Sequence, residues 1–250
     1  MGPENASQRD ANSQIHLLNL AQQLERADQE SSVTVAFQTF IESVGFTSFS
    51  CRRFQPIALV GPESILLSTM PQSWRDLYQE RGWGAHDPIL RELRTRCCSF
   101  IWSDFLSACS LTPQQRQVMR EVAENGIVDG FGISIHEAGG YVGTVKLAAT
   151  SVSLDPAGRV TLALASVYLY QRLCALRAAA RRCAGTRLSP REIEILRWIT
   201  EGKSDWQIGR ILAISDKTVN YHIENVKRKF GVATRVKAVV SAIQEGSLSY

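Results

Sequence analysis

The segment Leu188–Tyr250 admits little besides a bundle of short helices, because its side chains spell out where the helices begin. Ser189-Pro190-Arg191-Glu192 has the form of a capping box with proline at the first helical position. The serine hydroxyl accepts from the N3 amide, and Glu192 reaches back to the N-cap amide. Ile193, Leu196 and Ile199 then make one apolar stripe, and Gly202 suits a left-handed stop. A second box, Ser204-Asp205-Trp206-Gln207, opens a helix with Ile208, Ile211 and Leu212 facing inward. Only Ala213-Ile214 separate it from Ser215, the cap of a third helix. Two helices joined by so short a turn describe a helix-turn-helix.

In the third helix Val219, Ile223, Val226 and Phe230 fall at i, i+4, i+7 and i+11, which makes them the buried face. The opposite face carries Lys217, Asn220, Tyr221, Glu224 and Arg228, groups suited to base edges and phosphates. An ordinary amphipathic helix with a solvated outer face would look similar. Charge favours DNA: residues 185–250 hold 11 Lys and Arg against 7 Asp and Glu, whereas residues 1–184 hold 17 of each. A surplus of four is modest, so tight binding calls for a dimer. A fourth helix, Thr234–Glu245, presents Val236, Val239, Val240 and Ile243, some to close the core and some to pair two domains.

The run from Leu188 to Leu196, then Glu201-Gly202-Lys203-Ser204, then Ile214 to His222 resembles the LuxR-type helix-turn-helix over essentially all of 187–245. By that resemblance Glu192, Leu196 and Gly202 occupy the family's most constant structural positions. It further implies that Asn220 and Glu224 face bases while Lys217 and Thr218 lie near phosphates of double-stranded promoter DNA. Many members carry lysine where this chain has Asn220, which implies a different operator preference.

At 250 residues, 44% hydrophobic and 21% charged, the chain is expected to be globular with two domains. These are 1–177 and 188–250, joined by a linker at 178–187, where Ala178-Ala-Ala-Arg-Arg-Cys loses apolar periodicity. Pro156–Arg177 reads as a long helix available for dimer contact. The first fifteen residues lack a signal-peptide core, and no run approaches 18 apolar residues, so a soluble cytoplasmic protein without membrane contact is expected. No internal repeat is found. The six cysteines (51, 97, 98, 109, 174, 183) have no metal-ligand spacing. They read as reduced thiols, with redox sensing by Cys97-Cys98 as the alternative.

Upstream, helices are expected at 14–28, 32–44, 72–81, 88–96 and 112–125, and strands at 47–54, 64–69, 131–137 and 141–149. The last two form a hairpin turning at Gly139-Gly140. The fold class expected is α+β: an N-terminal α/β/α sandwich with a central antiparallel sheet, plus a C-terminal all-α four-helix helix-turn-helix domain. The segment from Trp74 to Pro88 sets Trp74 and Tyr78 on one helix face, then Trp83 and Asp87, with Trp102 beyond. Aromatics around one carboxylate can build an apolar pocket with a few polar anchors. By residues alone, plain core for Trp74 and Tyr78 and a cap or turn for Asp87 are the simpler readings.

The spacing W-x3-Y-x4-W-x3-D-P followed by Trp102, with Leu111–Arg116 and Glu124–Gly130, resembles the autoinducer-binding domain of LuxR-type quorum-sensing regulators over about 40–175. The resemblance implies an N-acyl-L-homoserine lactone as autoinducer, with Trp74 donating to the lactone carbonyl and Asp87 accepting from the amide N–H. Tyr78, Trp83 and Trp102 would line the site, and Gly130 would lie near it. Met70 stands where the family often has Tyr, and Lys146 where it often has Ser or Thr. Lys146 either donates to the acyl-side carbonyl or points outward, should the strand register slip by one.

The function expected is therefore a homodimeric, ligand-responsive transcriptional regulator working with RNA polymerase, an activator by family habit. An orphan regulator answering a non-lactone molecule, or none, is the alternative. A phosphorylated response regulator would need βαβ alternation that the chain lacks. With no phosphate loop, no Ser-His-Asp arrangement and no metal cluster among histidines 16, 86, 136 and 222, neither an enzyme nor a cofactor is expected.

Overall fold

The computed structural model describes residues 3–54, 64–137, 142–183, 188–244 and 247–248. It divides into two units, Met1–Leu176 and Arg177–Tyr250. In the first, helices α1 (Pro3–Arg26) and α2 (Glu30–Ser43) precede strands β1 (Ser48–Phe54) and β2 (Ser64–Ser68). Then come α3 (Gln72–Glu80), a 3-10 turn (Trp83–Ala85), α4 (Pro88–Thr95), β3 (Phe100–Ile101), α5 (Trp102–Ala108) and α6 (Pro113–Glu124). Strands β4 (Asp129–His136) and β5 (Val142–Ala149) and the helix α7 (Pro156–Cys183) complete the order.

The five strands form an antiparallel sheet in the order β2-β1-β5-β4-β3. Alternation along the strands divides it into two faces. Phe49 and Cys51 of β1, Phe131 and Ile133 of β4, and Val145, Leu147 and Ala149 of β5 pack with α1, α2 and α7 in one core. Fully buried Phe37, Phe49, Phe131 and Leu169 are among its anchors, each stabilising by about 1.5–3 kcal/mol on burial. On the other face, Ala148 joins Met70, Trp74, Trp83, Ile89, Leu93, Phe100, Trp102, Val118 and Val122. This is the expected helix–sheet–helix sandwich.

Several local expectations are met in detail. Thr112 and Gln115 form a capping box with Pro113 at N1, and Asp87 caps α4 ahead of Pro88. β4 and β5 pair from Asp129↔Ala149 to His136↔Val142, and the turn expected at Gly139-Gly140 lies outside the described residues. Of the expected linker, residues 178–183 continue α7, and residues 184–187 lie outside the described residues. Alanine and arginine there are strong helix formers, and a helix built on propensity needs no apolar period. β3, α5 and the 3-10 turn were not anticipated. A two-residue strand offers no alternation to count, and Ile101 supplies no side-chain cap to mark the start of α5.

The second unit holds α8 (Pro190–Thr200), α9 (Asp205–Leu212), α10 (Asp216–Phe230) and α11 (Arg235–Gln244). Both expected capping boxes form, and Ser215 caps α10 by accepting from Thr218 N–H at 3.0 Å. Gly202 takes φ +77, and Ala213 adopts φ 54 in the short turn between α9 and α10. The turn folds tightly over α9, since a Cβ on Gly209 would stand 2.7 Å from the Ile214 carbonyl oxygen. Val226 packs with Leu188, Leu196, Ala238, Val239 and Ala242, and Val219 and Ile223 with Ile195 and Ile208. Glu192 ties the ends together: it accepts from Ser189 N–H and, at 2.6 Å, from Lys229 Nζ near the C-terminus of α10.

Candidate functional site

The face of the sheet opposite α1, α2 and α7 floors a cavity of about 580 Å³, a size suited to a small organic molecule. The register decides which side chains reach it. Ser50 of β1 lies directly opposite Lys146 of β5 and Ser68 of β2, and Arg52 follows two residues along β1. Ser50, Arg52, Ser68 and Lys146 line the floor; Met70, Trp74 and Tyr78 line one wall. Asp87, Ile89, Trp102, Met119, Val122 and Ile127 also line it.

Trp74 and Tyr78 stack edge to face, with centroids 5.6 Å apart, as their i, i+4 spacing on α3 requires. Asp87 is 5% exposed and fully engaged. Its Oδ1 accepts from Leu90 N–H at 3.0 Å, the N-cap bond of α4. Its Oδ2 accepts from the Tyr78 hydroxyl at 2.8 Å and from Lys146 Nζ at 2.9 Å. Burial pushes this carboxyl up, but the Lys146 charge and the hydrogen bonds from Leu90, Lys146 and Tyr78 more than offset it. The carboxyl is held below its ordinary value of 3.8. Asp87 thus caps α4 through Oδ1 and meets Tyr78 and Lys146, two other residues of the cavity lining, through Oδ2.

Lys146 faces the cavity, its side chain 9% exposed, which resolves its two orientations. Its ammonium also lies 5.7 Å from the Tyr78 ring centroid, and the Arg52 guanidinium lies 5.5 Å from the same centroid. Met70 lines the cavity and its sulfur accepts from the Ser48 hydroxyl at 3.2 Å. The Trp102 indole nitrogen is buried with no hydrogen-bond partner among the described residues, and its ring lies against Gly130. Trp83 departs from expectation. It is buried beside the cavity but does not line it, and its indole N–H donates to Glu121 Oε2 at 3.2 Å. Gly82, left-handed at φ 63, starts the 3-10 turn that carries the Trp83 ring away from the cavity. Ser50 and Arg52 were missed. The pattern Ser48-Phe-Ser-Cys-Arg52 alternates polar and apolar and could have identified them.

On α10, Val219, Ile223 and Val226 are buried, with Phe230 partly covered at the same face. Lys217, Asn220, Tyr221, Glu224 and Arg228 are exposed and Thr218 is half-buried. Glu224 pairs with Lys227 at 2.7 Å, and Arg228 donates to Asn225 Oδ1 at 3.2 Å. Tyr221 is 63% exposed, so its ring is available to a partner. No helix among the described residues is long and apolar enough to cross a membrane.

Comparison with known proteins assigns both parts. Residues 29–173 match the family described as the autoinducer binding domain, and residues 186–242 match the bacterial regulatory proteins of the luxR family. The chain is 33% identical over 229 residues to RpaR, the quorum sensing-dependent transcriptional regulator of Rhodopseudomonas palustris, covering 92% of this chain and 93% of that one. It is 31% identical over 182 residues to the transcriptional activator protein BjaR1 of Bradyrhizobium diazoefficiens, covering 73% and 75%. Among solved structures, Escherichia coli SdiA superposes with a TM-score of 0.74 at 20% identity, over 94% of this chain and 98% of SdiA, a likeness of fold.

Proposed function

We propose, from the premise that this chain belongs to the LuxR family of bacterial regulatory proteins and carries that family's autoinducer-binding domain, that it takes an N-acyl-L-homoserine lactone into the cavity and binds specific promoter DNA as a homodimer. The observation that carries this reading is the buried Asp87 carboxylate on the wall of a cavity it shares with the Trp74 indole. A carboxylate accepts and an indole N–H donates, which suits a ligand with an amide N–H beside a carbonyl. In this reading Trp74 meets the lactone carbonyl and Asp87 the amide, while Tyr78, Trp102 and Met70 pack around the ring and proximal chain. Trp83 supports the wall from behind.

Support for a dimer comes from α7, where Val160, Leu164 and Tyr168 are 59%, 46% and 43% exposed at i, i+4 and i+8. Val236 of α11, 66% exposed, is a second apolar contact for a pair of DNA-binding units. The protein acts in the cytoplasm without enzymatic activity, as an activator that engages RNA polymerase. Lys217, Thr218, Tyr221 and Arg228 hold the DNA backbone, and Asn220 and Glu224 read bases. Asn220→Ala is then expected to relax sequence preference by about 1–3 kcal/mol at one base pair. Binding to a panel of operator variants checks this, and a uniform loss across the panel would assign Asn220 to the backbone.

The direct test of the ligand is mass spectrometry of small molecules extracted from protein expressed with candidate lactones, where near-stoichiometric retention of one of them is expected. Recovery of none would favour an orphan regulator answering a different molecule. Lys146 and Met70 in the wall, where the resemblance leads one to expect hydroxyl groups, are the observation that favours that second reading.

A further inference from the structure

The Asp87–Lys146 pair has a role that the ligand reading leaves unassigned. An isolated buried carboxylate is unstable in a protein interior unless a counter-charge and donors surround it. In this cavity all of those come from the chain itself: Leu90 N–H, the Tyr78 hydroxyl and the Lys146 ammonium. The lysine side chain is 9% exposed and the aspartate 6%, so the two charges neutralise one another out of reach of bulk water. The pair is also a tie between elements distant in sequence. Lys146 rises from β5 in the middle of the sheet, and Asp87 caps α4 on the opposite wall.

We propose that Lys146 is the built-in counter-ion of Asp87, so that the sensor unit reaches its folded, binding-competent form without help from its signal. It rests on the reading of Asp87 as the acceptor for the ligand's amide in one respect. A carboxylate offers about four lone-pair positions, and the three donors leave one open on Oδ1, so the amide N–H joins Asp87 there rather than completing it. Lys146 is thus a positioning residue for the Asp87 carboxylate.

The test uses the full chain expressed and purified with no lactone added, compared with expression in the presence of a panel of N-acyl-homoserine lactones. The wild type is expected to be soluble and to unfold in one cooperative thermal transition in both cases, with a higher midpoint when lactone is present. Lys146→Met, which removes the counter-charge and keeps the apolar stem, is expected to lose at least tenfold in soluble yield without lactone. Asp87→Asn combined with Lys146→Met, which removes both charges and preserves the α4 cap, is expected to recover that yield. A wild type insoluble without lactone would overturn the proposal, as would a Lys146→Met protein with wild-type yield and midpoint. Failure of the double variant to recover would also overturn it, by assigning the loss to packing. If no lactone raises any midpoint while the recovery holds, the counter-ion role stands and the lactone reading fails.

Discussion

Asp87→Asn is expected to abolish the response to the autoinducer and to destabilise the sensor unit at the same time. The substituted amide keeps one oxygen for the Leu90 N-cap, but it sets an NH2 group against the Tyr78 hydroxyl and leaves the Lys146 ammonium buried without its anion. Removing one member of a buried pair costs about 3–5 kcal/mol, and the conserved shape of asparagine sets the expectation at the low end. For a unit of this size that is a fall in melting temperature of roughly 10 °C. Ligand response suffers separately, because the amide presents a weaker acceptor and an added donor to the ligand N–H. A reporter assay and thermal unfolding measure the two effects, and unchanged sensitivity to lactone would remove Asp87 from the binding site. The pH profile supplies a third check. Asp87 has a folded value below 3.8, so its stabilisation is complete above the unfolded value and disappears as pH falls through the folded one. The variant lacks that increment, and its stability should decline less steeply in acid.

Gly130→Ala is expected to damage the fold about as much as Asp87→Asn while altering no polar group. A Cβ at this position would stand 2.3 Å from the Leu147 carbonyl oxygen and 2.6 Å from the Trp102 ring. The indole lines the cavity, and the carbonyl belongs to the β4–β5 ladder in which Gly130 faces Ala148. Overpacking against movable side chains costs about 1–3 kcal/mol, and here part of the clash is with backbone, which sets the cost at or beyond the upper end. Loss of soluble protein, or a melting temperature lower by roughly 10 °C, is the outcome to look for. A soluble variant with the wild-type midpoint would contradict the close approach. Soluble Asp87→Asn protein that retains no ligand, beside insoluble Gly130→Ala, would separate recognition from architecture in one wall.

The two units differ in how much of them could be read from the chain alone. In the second unit three of the four helix starts carry their signal within four residues: Ser189 with Glu192, Ser204 with Gln207, and Ser215 with Thr218 N–H. Such bonds are local, and local chemistry survives translation into sequence. In the first unit the decisive relations are between residues far apart. Asp87 and Lys146 are 59 positions distant, and no pattern at either end announces the other. The side chain of Lys146 followed strand register, which became definite only once Val145 and Leu147 were seen to belong to the opposite core. Trp83 shows the converse error. Aromatic spacing counted it with Trp74 and Tyr78, but the backbone turn at Gly82 gave it another direction and a different partner, Glu121.

The link between Glu192 and Lys229 has a geometric corollary. Lys229 sits one residue from the end of α10, and Lys217 lies one residue from its beginning. A helix of fifteen residues is a rod about 22 Å long, so a tilt of about 10° at the tethered end sweeps the other end through about 4 Å. That displacement exceeds the length of a hydrogen bond. A carboxylate at the start of α8 therefore helps to set the direction in which the exposed side chains at the far end of α10 point.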